Sequence, residues 1–143
     1  MEKYKKLRNF WRNKKVFVTG HTGFKGSWMI IMLNLFGAKI YGYSLRPEKK
    51  SLFIQSNCSR LVKKNIYSDI KNREKLNRSI LKIKPDIIFH LAAQPLVTEG
   101  YKKPIETFNT NITGTINILN TIKKCKSLKS AVIITTDKVY KIQ

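Results

Sequence analysis

Val16-Phe17-Val18-Thr19-Gly20-His21-Thr22-Gly23-Phe24-Lys25-Gly26-Ser27-Trp28 is the stretch that decides the fold. Its first four residues are β-branched or aromatic and stop at a glycine, as a short strand does. From Gly23 the period changes. Phe24, Trp28, Ile31, Met32, Leu35 and Phe36 recur at three- and four-residue intervals and end at Gly37, which predicts a helix. A strand leading through Gly-x-x-Gly-x-x-Gly into a helix suits phosphate binding. The first glycine permits the tight turn, the second lets backbone N–H groups approach a pyrophosphate, and the third lets helix and strand pack closely. The helix N-terminus adds unsatisfied N–H groups and about half a positive charge. A plain glycine turn is the alternative.

The pattern continues outward from that loop. Residues 39–44 read as a second strand closed by Arg46-Pro47, and 65–67 as a third ending at Ser68-Asp69. Leu76, Ile80, Leu81 and Ile83 lie at helical spacing within 73–83, stopped by Lys84-Pro85. Residues 86–91 form a nearly continuous apolar run, typical of a strand buried on both faces. After a loop to Lys103, Pro104 opens a long helix over 104–124 with the stripe Ile105, Phe108, Ile112, Ile116, Leu119 and Ile122. Residues 131–135 read as a fifth strand. Alternating strands and helices of this kind predict an α/β fold, a doubly wound parallel sheet that stops after its fifth strand.

Composition sets wider bounds. The 143 residues carry 29 Lys+Arg against 8 Asp+Glu, a net charge of +21, with 42% hydrophobic and 10% aromatic residues. That suits one folded domain, or part of one. The charge admits a nucleic-acid partner, but the lysine pairs are scattered over termini and loops, with no nucleic-acid motif or stacking platform beside them. A solvated basic surface is the plainer reading. Cys58, Cys125, His21 and His90 lack the spacing of a metal site, so no metal is expected. The basic N-terminus has no signal-peptide core, and the apolar run 28–33 is too short to span a bilayer. A soluble cytoplasmic protein with no membrane partner is expected.

The Gly-x-x-Gly-x-x-Gly spacing after Thr19 resembles the loop of the extended short-chain dehydrogenase/reductases, whose fold is Rossmann-like. The fuller text is narrower: Phe10-Trp11, the string from Val16 to Trp28, the run 90–97, Thr110-Asn111 with Gly114-Thr115, and Thr136-Asp137-Lys138. It resembles the CDP-glucose 4,6-dehydratase family, within the NAD-dependent epimerases and dehydratases. The resemblance implies that Gly20, Gly23, Phe24, Lys25 and Gly26 face a dinucleotide pyrophosphate. Asp69 and Ile70 would lie by the adenine, Leu91, Ala92, Ala93 and Gln94 along the ribose and nicotinamide, and Thr110 against the cofactor from the long helix. His21 is either a loop residue or a cofactor contact. His90 reads as a core histidine and Asn111 as a structural bridge. Arg46 stands where NAD-preferring folds often carry an acid, and would lie over the adenine or receive a 2′-phosphate. NAD is the expected cofactor, with NADP left open, because the reaction has no net redox change.

The resemblance also implies a reaction: hydride removal at C4 of a nucleotide sugar, CDP-glucose, loss of water across C5–C6, and hydride return to C6. Thr136 would hydrogen-bond the C4 oxygen, Asp137 would protonate the C6 leaving group, and Lys138 would assist C5 deprotonation. The superfamily's Tyr-x-x-x-Lys pair is expected some twenty residues beyond Tyr140. Tyr67-Ser-Asp-Ile-Lys71 has that spacing by coincidence, at the adenine end of the sheet. Residues 1–143 are therefore expected to be the amino-terminal part of a dinucleotide-binding domain. The Tyr-Lys helix and substrate lobe would lie outside it, and the chain would be inactive alone. A homodimer through the long helix is implied for the whole enzyme. A non-catalytic dinucleotide-binding module and another nucleotide-sugar dehydratase or epimerase are the alternatives.

Overall fold

The structure, a computed structural model, describes residues 2–136. Its strands are β1 (Lys15–Thr19), β2 (Lys39–Ser44), β3 (Lys64–Tyr67), β4 (Ile87–His90) and β5 (Ser130–Ile133). They form one wholly parallel sheet in the order β3-β2-β1-β4-β5, the doubly wound arrangement expected. Alternate residues of central β1 feed opposite faces. Phe17 joins Tyr43, Leu76, Ile80, Ile88 and Ile118 on one side. Val16 and Val18 join Ile30, Leu33, Ile40 and Phe53 on the other. All three β1 side chains are fully buried, because helices cover both faces of a parallel sheet.

The helices are α1 (Glu2–Trp11), α2 (Phe24–Leu35), α3 (Leu52–Gln55), α4 (Arg73–Ile83), α5 (Val97–Lys102), α6 (Pro104–Phe108) and α7 (Gly114–Ile122). Two differ from expectation. The basic N-terminus forms α1, held by Tyr4 against Phe36 and Trp11 against Phe89. The segment before Pro104, expected as loop, coils into α5. The long helix does start at Pro104, but a π-helical turn at Asn109–Thr113 separates α6 from α7.

α2 corrects the expected stripe. Phe24, Trp28, Met32 and Leu35 are 49–71% exposed, whereas Gly26, Ser27, Ile30 and Leu33 are buried. Close approach to the glycine loop selects small residues at the contact, so the buried face is marked by Gly and Ser rather than by the largest apolar side chains. In the long helix the expected stripe likewise faces outward: Ile105, Phe108, Ile112, Ile116 and Leu119 are 45–75% exposed. Among the described residues no helix is long and apolar enough to cross a membrane.

Candidate functional site

Strand order reverses between β1 and β4, and in open parallel sheets ligands bind at the carboxyl ends of the strands flanking such a reversal. The loops leaving those two strands are in backbone contact here. Gly20 has φ +69°, and a Cβ on it would stand 2.7 Å from Ala92 N and 2.8 Å from Leu91 C. Gly20 O accepts from Gly23 N at 3.1 Å, closing the turn. A Cβ on Gly26 would overlap Gly20 O and the His21 backbone. Gly23 is the N-cap of α2, in extended conformation and without a side-chain cap. The first turn of a twelve-residue helix thus presents uncapped N–H groups beside exposed Lys25 and Phe24, a donor set suited to a pyrophosphate.

The loop's two intervening residues turn inward. Thr22 Oγ1 donates to Leu45 O (3.1 Å) and lies 2.8 Å from Ser44 Oγ, tying the loop to the end of β2. His21 is fully buried: its Nε2 lies 3.0 Å from Asn65 Oδ1, and its ring packs edge-on to Phe53 and stacks on Tyr67. Burial pushes its pKa down, partly offset by Asn65 and the Tyr43 backbone. His21 is therefore an anchor of the loop within the fold and not a solvated loop residue.

His90 is also buried and is the centre of a relay. Thr19 Oγ1 accepts from Leu91 N and Ala92 N, both at 3.2 Å, and so spends its proton on His90 Nδ1 at 2.7 Å. The imidazole proton must then be on Nε2, which donates to Thr115 Oγ1 at 3.1 Å. That hydroxyl in turn donates to Asn111 O at 2.6 Å. Burial pushes the His90 pKa down to about 4. Asn111 completes the bridge, with Oδ1 accepting from Gln94 N at 2.8 Å and Nδ2 donating to Gln94 O at 3.2 Å. The Gln94 amide folds the loop itself, donating to Thr107 Oγ1 and Leu96 O and accepting from Leu96 N. Its side chain is therefore a loop brace. The π-helical turn that carries Thr110 and Asn111 sits at this junction, a distortion often found beside functional sites.

At the other end of the crevice Asp69 is half-buried, accepting from Lys71 N at 2.8 Å and pairing with Lys71 Nζ at 3.4 Å. Ile70 is buried in the core cluster instead of lining a surface. The Arg46 guanidinium lies 5.2 Å from the Tyr67 ring centre. Leu91 and Ala92 are half-buried and Ala93 exposed along the β4 loop. Thr136 is exposed just past β5, at the carboxyl edge of the sheet, while Asp137 and Lys138 lie outside the described residues. Thr22, Ser44, Tyr67 and Thr115 were not anticipated as site-building residues. Their partners lie 22 to 46 positions away in the chain, so no local pattern marks the pairings. Among the described residues no group of three or more His, Cys, Asp or Glu could hold a metal.

Much of the positive charge lies elsewhere. A concave surface of about 660 Å³ between β3 and α4 gathers Lys15, Lys64, Lys75, Arg78 and Lys82. Two of these are tied to the fold, Lys75 Nζ to Tyr67 O and Lys15 Nζ to Ile83 O.

A parallel α/β sheet with a glycine loop and an uncapped helix at its reversal point defines a Rossmann-like dinucleotide-binding class. Within that class the chain belongs to the GDP-mannose 4,6 dehydratase family, whose profile matches residues 17–140. It is 49% identical over 134 residues to a CDP-glucose 4,6-dehydratase of Salmonella typhimurium, covering 93% of this chain and 37% of that protein. Solved structures show the same fold. A UDP-glucose-4-epimerase from Stenotrophomonas maltophila, with bound NAD and formylated UDP-arabinopyranose, superposes with a TM-score of 0.75. That pair is 24% identical, over 92% of this chain and 39% of the epimerase. A UDP-glucose 4-epimerase from Thermotoga maritima with UDP-glucose is 27% identical, with a TM-score of 0.70 over 83% of this chain and 37% of that one. The chain therefore spans less than two-fifths of the length of these three proteins.

Proposed function

We propose that residues 1–143 form the amino-terminal, NAD-holding part of a nucleotide-sugar 4,6-dehydratase that acts on CDP-glucose. The observation that carries this reading is the uncapped α2 N-terminus, packed through Gly26 on the Gly20–His21 backbone, with Gly20 in turn against the β4 loop. The 49% identity to a CDP-glucose 4,6-dehydratase supports the substrate. Gly20, Gly23, Phe24, Lys25 and Gly26 receive the pyrophosphate on backbone N–H groups and one lysine charge. Asp69 and Arg46 border the adenosine, with Ile70 supporting that rim from the core. Leu91, Ala92, Ala93, the Gln94 backbone and Thr110 line the path toward the nicotinamide. NAD, when bound, supplies the reversible hydride acceptor that the reaction needs. Thr136 orients the C4 oxygen of the sugar. Asp137 protonates the C6 leaving group and Lys138 assists loss of the C5 proton. The product would be CDP-4-keto-6-deoxyglucose plus water.

Calorimetric titration of the intact protein with NAD is expected to give a micromolar Kd, and Lys25→Glu to weaken it about tenfold by opposing the pyrophosphate charge. No heat of binding up to millimolar NAD would remove the basis for this function.

The outward stripe of Ile105, Phe108, Ile112, Ile116 and Leu119 supports a second proposal, a homodimer formed by pairing this helix with its copy. Sedimentation at tens of micromolar protein should show a dimer that Ile112→Glu dissociates. A monomeric parent protein would contradict it.

A further inference from the structure

Five cations converge on the groove between β3 and α4, which the dinucleotide crevice leaves unused. Strand register explains how they meet. Alternate residues of a strand face the same side of a sheet, so Lys15 shares the face of Phe17, and Lys64 that of Ile66, where α4 packs. Tyr41, the register partner of both Phe17 and Lys64, packs at the margin of the same core and forms part of the floor. On α4, Lys75, Arg78 and Lys82 stand at i, i+3 and i+7, a single stripe roughly 10 Å long. The helix stripe and the strand lysines therefore border one concavity of about 660 Å³, a volume typical of small-ligand sites.

Its charge is uncompensated. No Asp or Glu lines the groove, and none of the five cations forms an ion pair among the described residues. The Asp86 carboxylate, next to the start of β1, is engaged by the Lys15 N–H and by Lys129 at 3.1 Å. Two ammonium groups are held in place by backbone carbonyls, Lys75 by Tyr67 O at 3.0 Å and Lys15 by Ile83 O at 3.2 Å. Each keeps further donors for a second partner, and Lys64, Arg78 and Lys82 are exposed. A scattered lysine is simply solvated, whereas five cations around one concavity repel one another and focus positive potential into it. A multiply charged anion relieves that repulsion, and a row of cations suits a linear one. Lys15 and Lys64 open their strands and Lys82 lies in the last turn of α4, whereas the glycine loop leaves the carboxyl end of β1. The two sites are thus separate.

We infer that this groove binds a linear triphosphate group, free or carried by a nucleoside, at a second site that fills while the dinucleotide crevice is occupied. Lys64, Arg78 and Lys82 carry the phosphate charge, with Lys15 and Lys75 as ammonium donors already in position. The half-buried Tyr41 ring is the surface that a base would meet.

Calorimetry on the intact protein, with and without millimolar NAD, tests this with inorganic tripolyphosphate. A micromolar Kd is expected, unchanged by NAD, with orthophosphate about tenfold weaker or more because it meets fewer cations. The triple variant Lys64→Ala, Arg78→Ala, Lys82→Ala should weaken tripolyphosphate about tenfold or more. The triple variant Lys5→Ala, Lys49→Ala, Lys123→Ala removes the same charge from scattered exposed positions and should weaken it less than about threefold. All six side chains are exposed, so neither variant endangers the fold. ATP measured with NAD present separates the two carriers. Tighter binding than tripolyphosphate places the nucleoside on Tyr41, and binding no tighter assigns the site to the phosphate chain alone. Equal weakening in the two triple variants would overturn the inference in favour of diffuse charge. Displacement of tripolyphosphate by NAD, or no heat of binding up to millimolar tripolyphosphate, would overturn it as well. So would a short single-stranded RNA that binds the groove more tightly than tripolyphosphate. NAD is titrated separately, so none of these failures removes the dinucleotide reading.

Discussion

Gly26→Ala is expected to be the most damaging single-atom change in the glycine loop, destabilising the protein by about 3 kcal/mol or more and abolishing NAD binding. The added methyl has no space. It would overlap Gly20 O and the Cα and carbonyl carbon of His21, all backbone atoms that cannot rotate away. Relief would require α2 to move off the loop, and that movement separates Gly20 from the β4 backbone it touches. It also withdraws the helix N-terminus from the pyrophosphate. Gly23→Ala is the matched control. Gly23 is exposed at φ −75°, and its added Cβ would meet only Gly20 O, at 3.3 Å. That variant should lose about 1 kcal/mol or less of stability, since its backbone suits any residue. Urea denaturation of the two variants beside the parent decides the matter. Equal, small losses would show that α2 has freedom the geometry denies it.

The second large effect is a loss of stability in mild acid. His90 is held neutral in the fold with a pKa of about 4, while in the unfolded chain it would titrate near its ordinary value of 6.5. Below pH 6.5 the unfolded state therefore binds more protons than the native state, and stability falls as pH falls. It is complete above about 6.5, drops between 6.5 and 4, and levels off below 4 as far as this group is concerned. From the two pKa values the loss is about 2 kcal/mol at pH 5 and about 3 kcal/mol at the plateau. His21, lowered in the same direction by burial, adds to it. Asp86, lowered by the Lys15 N–H and by Lys129, acts only below its ordinary carboxylate range and so does not enter this window.

The structural consequence is specific. A second proton on the ring would have to reside on Nδ1, where Thr19 Oγ1 now donates. Thr19 would then have to reverse its hydroxyl while still accepting from Leu91 N and Ala92 N. The β4 loop should therefore loosen along with the global loss. Denaturation at pH 7.5, 6 and 5 should show the decline, and His90→Gln should flatten most of it. A parent protein equally stable at pH 7.5 and 5 would exclude the buried neutral histidines as described.

How much of this was legible in the chain differs from element to element. β1 and the glycine loop were readable because strand, turn and helix are contiguous there, and each glycine answers a local backbone demand. The strands were readable because a parallel sheet covered on both faces demands nearly continuous apolar runs. α4 was readable because its apolar spacing coincides with its buried face. α2 was readable as a helix but its buried face was not, since the same spacing ran along its outer side and its packing was carried by Gly26 and Ser27. α5 carried neither an apolar stripe nor a side-chain cap to signal a helix, with Gly100 in its interior.

By itself, then, the sequence determined the order of the five strands and of the α2, α4 and Pro104 helices between them, the phosphate loop and the family resemblance, because these depend on neighbours in the chain. Only the tertiary structure decided what the two histidines do and where Arg46 is held. His21 meets a partner 44 residues away, His90 joins residues 71 positions before it and 25 after it, and Gly42 is bare because of a ring on another element. Such contacts form where the sheet brings strand ends together. Their meaning resides in that convergence, and no periodicity along the chain records it.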